Sequence, residues 1–170
     1  MTGEENDTDE TNASGLPPHS IELVVYGGLD EEIAKAIHRR KGAGIQTFGN
    51  VTVPVVDAAG NIKNISFSRP APVNVWVRVF NLQTDNTFPL DGIEQIKQRL
   101  TEYIGSDTRG GLNIGQNVIC VALPTEVFKV QGVVDFDLQI SPDGEAYSWQ
   151  NITIAAREKA VTNEDMVVVE

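Results

Sequence analysis

Gly15-Leu16-Pro17-Pro18-His19-Ser20-Ile21-Glu22-Leu23-Val24-Val25-Tyr26-Gly27-Gly28, followed by the run from Asp30 to Lys41, decides how the first half of this chain folds. Two prolines stiffen the entry, because each fixes its own backbone and restricts the residue before it. Residues 21–26 are β-rich and apolar, and Gly27-Gly28 ends them, so a strand is expected. Asp30 is expected to cap a helix, with Glu31 and Glu32 favoured at the positive end of its dipole. Ile33, Ala36 and Ile37 share a face at helical spacing. Arg39, Arg40 and Lys41 fall in the last turn, and Gly42 is the expected stop.

Working outward, residues 51–56 alternate as a strand in which Pro54 cannot donate to a ladder, which places them at an edge or a bulge. Asp57-Ala58-Ala59-Gly60-Asn61 is a hairpin connection, and residues 62–68 return as its partner. Arg69-Pro70-Ala71-Pro72 is a stiff connector. Residues 73–82 then form the clearest strand, with Val75, Val77 and Val79 on one face and Trp76, Arg78 and Phe80 on the other. Asp91 and Glu94 have capping-box spacing. Ile93, Ile96, Leu100, Tyr103 and Ile104 make the stripe of a second helix ending at Gly105. Burying all five would contribute up to roughly 10 kcal/mol before entropy is charged. Gly110-Gly111 marks a loop, and residues 117–129 read as helical turns interrupted by Pro124. Residues 132–140 read as a strand, Pro142-Asp143-Gly144 as a turn, 149–154 as the returning strand, and 166–169 as a last short one.

The expected fold is therefore α+β. It has two strand-helix-strand-strand units with helices packed on mixed or antiparallel sheets, and ferredoxin-like halves are the expected form. The expected divisions are an acidic segment over residues 1–14, a first unit over 15–72 and a second over 73–170. Residues 1–14 carry five acidic side chains and no Lys or Arg, a composition that favours a disordered tail.

The net charge of −11 speaks against a nucleic-acid groove, which needs clustered Lys and Arg, and against an anionic membrane surface. No apolar run approaches the ~18–20 residues that cross a bilayer. Cys120 is the single cysteine, so no intrachain disulfide forms. It sits in the apolar run Val118-Ile119-Cys120-Val121-Ala122 and reads as a small buried hydrophobe. His19 and His38, the two histidines, lack the company a metal site needs. Asp135 and Asp137 share one strand face, which reads as a solvated surface. Asp7-Thr8-Asp9 lacks the glycine and terminal glutamate of a calcium loop. Gly42-Ala43-Gly44 follows a helix where a dinucleotide fingerprint must follow a strand. Arg39-Arg40-Lys41 fits the helix dipole better than a phosphate. No catalytic, cofactor-binding or metal-binding residues are therefore singled out, and neither a cofactor nor a small-molecule substrate is expected.

The ordered motifs resemble the carboxy-terminal half of the phage baseplate protein J family, the wedge proteins of contractile tails. Pro17 to Glu22 is the most specific piece. Gly27-Gly28, the helix from Asp30, Lys41 with Gly44, Thr47, Gly49 and Asn50, and Phe67-Ser68-Arg69-Pro70 follow in family order. Gly115-Gln116-Asn117-Val118, Gly132-Val133 and Asn151-Ile152-Thr153-Ile154 match more loosely. The resemblance implies a non-enzymatic scaffold that docks on other wedge subunits and on copies of itself, in the virion tail baseplate and, during assembly, the bacterial host cytoplasm. It also implies that residues near Met1 enter from an upstream strand, that Met1 is an artificial start, and that the family's amino-terminal helical part is missing here. Three alternatives stand beside it. One is a related contractile injection or secretion-system baseplate. Another is a carbohydrate-binding tail-tip module using Trp76 or Trp149. The last is an enzyme using Cys120 and His38.

Overall fold

A computed structural model describes residues 1–42, 44–106 and 110–170. The chain folds as α+β and divides into two compact units, Met1–Pro70 and Ala71–Glu170.

In the first unit β1 (Thr2–Asn6) runs antiparallel to β2 (Ser20–Val24), and β3 (Gln46–Phe48) runs parallel to β2 on its other side. The composition of the first residues favours disorder, and the structure corrects that expectation. Asn6 is buried, and its amide donates to the carbonyls of Glu10, Leu16 and Pro17 at 2.8, 2.8 and 3.1 Å. Its oxygen accepts from the backbone and hydroxyl of Thr8. One buried side chain thus organises a polar loop that cannot build a core of its own.

Helix α1 (Asp30–Arg40) packs on the hairpin of β4 (Val51–Val56) and β5 (Ile62–Phe67). Its buried face is Ala34 and Ile37 with Ile33 half-covered, whereas Ala36 is exposed. Leu29 stands at the cap and Asp30 is the first helical residue; its carboxylate accepts from Arg69 and caps no backbone N–H. The helix stops where Lys41 turns extended, one residue before Gly42. The hairpin forms as its turn chemistry requires: Asp57 accepts from the backbone N–H of Ala59 at 2.9 Å and of Asn61 at 2.8 Å. These bonds, that of the Asn61 backbone foremost, hold the Asp57 carboxyl below its ordinary range. Pro54 lies in a strand paired on one side only. Ile65 and Phe67 close the core with Val55.

In the second unit the expected strand over residues 73–82 is two strands. β6 (Ala71–Asn74) pairs in parallel with β9 (Glu158–Val161), and β7 (Trp76–Thr84) lies between β8 (Val133–Ser141) and β10 (Val167–Val169). Val75 is the corner: its N–H donates to Val161, and its carbonyl accepts from the Thr162 hydroxyl at 2.7 Å. Residues 71–72, read as a connector, belong to β6. Helix α2 (Gly92–Ile104) buries Ile96, Leu100 and Ile104 completely, but Ile93 is exposed, so the stripe is narrower than five residues. The capping box does not form; the Asp91 carboxylate takes the Gln95 amide instead. Pro124 opens α3 (Leu123–Val127), where its missing N–H costs nothing, and so starts a helix where an interruption was expected.

Residues 149–154 do not form the expected returning strand. Only isolated bridges remain, Ser148 with Ile140 and Ile152 with Val118. Side-chain amides take the place of the ladder: Asn151 accepts from the Cys120 N–H at 2.9 Å, and Asn117 from the Ile154 N–H at 2.8 Å. Val75, Val77, Val79, Leu138 and Ile140 meet the two helices in one core. Among the described residues neither unit forms a four-stranded antiparallel sheet carrying two helices, so the ferredoxin-like expectation is corrected: each unit splits its strands between two sheets.

Candidate functional site

His19, His38, Cys120 and the residues at 7–9 and 39–41 do not converge on one site. His19 pairs with the exposed Asp9 at 3.0 Å, a surface contact of little energetic weight. Asp7, Thr8 and Asp9 belong to the loop held by Asn6. His38 sits in the last turn of α1 with its Nδ1 buried and unpartnered. Arg39 and Arg40 are exposed, and Lys41 donates to the Ile45 carbonyl. Ala43 of the Gly42–Gly44 motif lies outside the described residues. Cys120 is buried, and burial pushes its thiol up to about 11, far from the thiolate a nucleophile needs. Among the described residues no group of His, Cys, Asp and Glu could hold a metal ion. No described helix is long and apolar enough to cross a membrane.

Two constellations do form. The first gathers the ordered motifs of the first unit around Arg69. Gly27 and Gly28 both adopt left-handed backbone, with φ of 70° and 77°, which turns their carbonyls inward. Arg69 donates through Nη1 to the carbonyls of Val25 and Gly27 at 3.0 and 2.6 Å. Through Nη2 it donates to the Gly28 carbonyl at 2.8 Å and to the Asp30 carboxylate. A planar fork of donors is what four acceptors on one turn require. The guanidinium also stands 5.3 Å from the centre of the Phe67 ring.

Neighbouring motif residues join the same lock. The Asn50 side chain accepts from the Arg69 N–H at 3.0 Å, and the Ser68 hydroxyl donates to the buried Glu22 carboxylate. Thr47 accepts from the Ser66 N–H at 2.9 Å, and the Ser20 hydroxyl donates to Pro17. Gly49 lies against the Phe67 backbone, where an added Cβ would fall 2.1 Å from the Phe67 carbonyl carbon. Glu22, Ser68, Asn50, Arg69, the Gly27-Gly28 turn and Asp30 form one connected network, with the Thr47 and Ser20 bonds beside it. The sequence places Arg69 in a stiff connector and in the Phe67-Ser68-Arg69-Pro70 motif, and neither reading discloses this role, which depends on a contact across some forty residues.

The second constellation is an open groove of about 400 Å³ beside β8 in the second unit. Phe80, Phe128, Phe136 and Trp149 line it together with Asp135 and Asp137. The rings of Phe128 and Phe136 stand 4.8 Å apart. Phe128 and Trp149 are each about half exposed, at 52% and 50%. Asp135 and Asp137 do share a solvated face, as expected, but the aromatic wall beside them is supplied from elsewhere. Trp76 packs on Gly144 and is half-buried, so Trp149 is the exposed tryptophan.

No protein-family model matches this chain, and no curated protein sequence matches it.

Proposed function

We propose that this chain is a structural docking module of a contractile-tail baseplate wedge, acting by protein–protein assembly and not by catalysis. The observation that carries the reading is the network around Arg69. The motifs whose order resembles the baseplate protein J family hold one another in place, from Ser20 and Glu22 through Gly27-Gly28 and Asp30 to Asn50, Ser68 and Arg69. Residues so occupied serve geometry. They fix a β-sheet, a helix start and a hairpin against one another, which is what a scaffold that presents surfaces to neighbours needs. Other wedge subunits and copies of this chain are the proposed partners, and the tail baseplate is the proposed location.

The buried thiol of Cys120 and the occupied groups around His19 fit this reading better than an enzymatic one. The strong negative charge fits a protein partner better than a phosphate backbone. The test is negative-stain electron microscopy of tail particles made without the gene, with a complemented strain beside them. Tails without baseplates, restored on complementation, are expected. Intact baseplates in the absence of the gene would overturn the proposal.

A further inference from the structure

We infer that the outer edge of β8 and the aromatic groove along it form a docking site for an extended, positively charged segment of a protein partner. This deepens the assembly reading, and rests on it only in taking the partner to be a protein.

β8 is the outer strand of the β10-β7-β8 sheet. On its free side Ile140 exchanges both backbone hydrogen bonds with Ser148, each 2.9 Å long. In an antiparallel strand every second residue directs its backbone groups the same way, so the N–H and C=O of Leu138, a residue only 5% exposed, point to the side on which Ile140 meets Ser148, beyond the end of that bridge. One step further, the Asp135 carboxylate folds onto the Phe136 N–H at 2.9 Å, a side-chain cover over an edge that has no strand against it. Edges of this kind are where proteins add a partner strand.

The groove lies along this edge and draws its lining from both faces of the strand: Phe136 and Leu138 from one, Asp135, Asp137 and Gln139 from the other. Phe128 and Trp149 wall the apolar side. The chemistry of the occupant follows from the charges. The two carboxylates are exposed, and among the described residues neither is in an ion pair. Asp137 accepts only from the neutral Asn81 amide, and Asp135 from a backbone N–H. A lysine or arginine beside them gains an opposite charge and an aromatic neighbour at once. A neutral sugar would use Trp149 but leave both charges unanswered, and an acidic segment is repelled. Because a strand's side chains alternate, the segment that fits carries basic residues towards the aspartates and apolar ones towards Phe128 and Phe136.

The test is amide NMR of the purified chain titrated with a short peptide of alternating lysine and valine, and with a glutamate–valine counterpart. Saturable shifts confined to residues 134–139 and the Trp149 indole are expected with the lysine peptide alone. The Asp135→Lys, Asp137→Lys double variant should weaken that binding at least about tenfold and admit the glutamate peptide. The milder Asp135→Asn, Asp137→Asn variant should abolish the preference without reversing it. Phe128→Ala should weaken the lysine peptide with both charges in place. Shifts scattered over the whole acidic surface, or binding indifferent to these variants, would overturn the inference. So would a chito-oligosaccharide that moves Trp149 where the lysine peptide does not. None of these readings involves tail particles, so the docking site and the baseplate role fail separately.

Discussion

Arg69 joins four acceptors on a single turn, and no other side chain can replace that geometry. Its side chain is 28% exposed, so solvent screens part of the interaction. Arg69→Ala is expected to cost about 2–4 kcal/mol in urea unfolding, since charge-assisted bonds are lost and turn carbonyls are left open. Arg69→Lys should recover only a small part, because a point charge cannot span the fork. Gly49 offers a sharper contrast. Its φ is 154° and the Phe67 backbone fills the space a Cβ would need, whereas Gly60, with φ of 85°, has open space around it. Gly49→Ala should therefore destabilise by more than about 3 kcal/mol and Gly60→Ala by only about 1, measured in the same unfolding series. Cys120 makes a prediction about pH. Burial raises its thiol from 9.0 to about 11, so the folded state favours the protonated form. That contribution is whole below pH 9 and is lost as pH rises towards 11. Buried Lys159, whose pKa burial lowers, acts with the opposite sign. Comparison with Cys120→Ala isolates the thiol: the stability difference between the two chains should shift across that window. Thiol reagents should modify Cys120 only in denaturant.

At the scale of elements, sequence and structure agree for the β4–β5 hairpin and the core stripe of α2, whereas the caps read at Asp30 and Asp91 do not form. The β4–β5 hairpin was legible because Asp57 and Asn61 build their own turn and Pro54 excludes an inner strand. Helix α2 was legible through Ile96, Leu100 and Ile104. The elements that escaped reading depend on distant partners. β9 contains the buried Lys159, whose ammonium reaches the carbonyls of Gly110 and Leu112 at 3.0 and 2.7 Å, a solution no local pattern discloses. The corner at Val75 is set by Val161 and Thr162, nearly ninety residues away. β1 reads as a tail by composition and is held by pairing with β2 and by Asn6. Hydrogen exchange checks this directly. The amides of Thr2–Asn6 that pair with β2 should exchange far more slowly than a free tail, and Asn6→Ala should release them at a cost of about 2–3 kcal/mol.

For the whole molecule, fold class was legible and the reason for the motifs was not. The proposed likeness to a baseplate wedge family rests on ordered residues from Pro17 to Pro70, and only the folded chain shows that Glu22, Asp30, Asn50, Ser68 and Arg69 among them are joined. The β8 groove was half legible: the Asp135–Asp137 pair on one strand face and Trp149 stood out separately, while Phe128 fell within the helical turns over residues 117–129. Their meeting depends on how α3 and the segment after Ser148 pack beside the sheet. The central claim is that this chain acts by being built into a larger assembly. It is tested most directly by cryo-electron microscopy of purified tail particles from a host expressing the gene. The expected result is baseplate density into which Met1–Pro70 and Ala71–Glu170 each fit as a unit, with neighbouring subunits against them. Complete baseplate density with no place for either unit would contradict the claim.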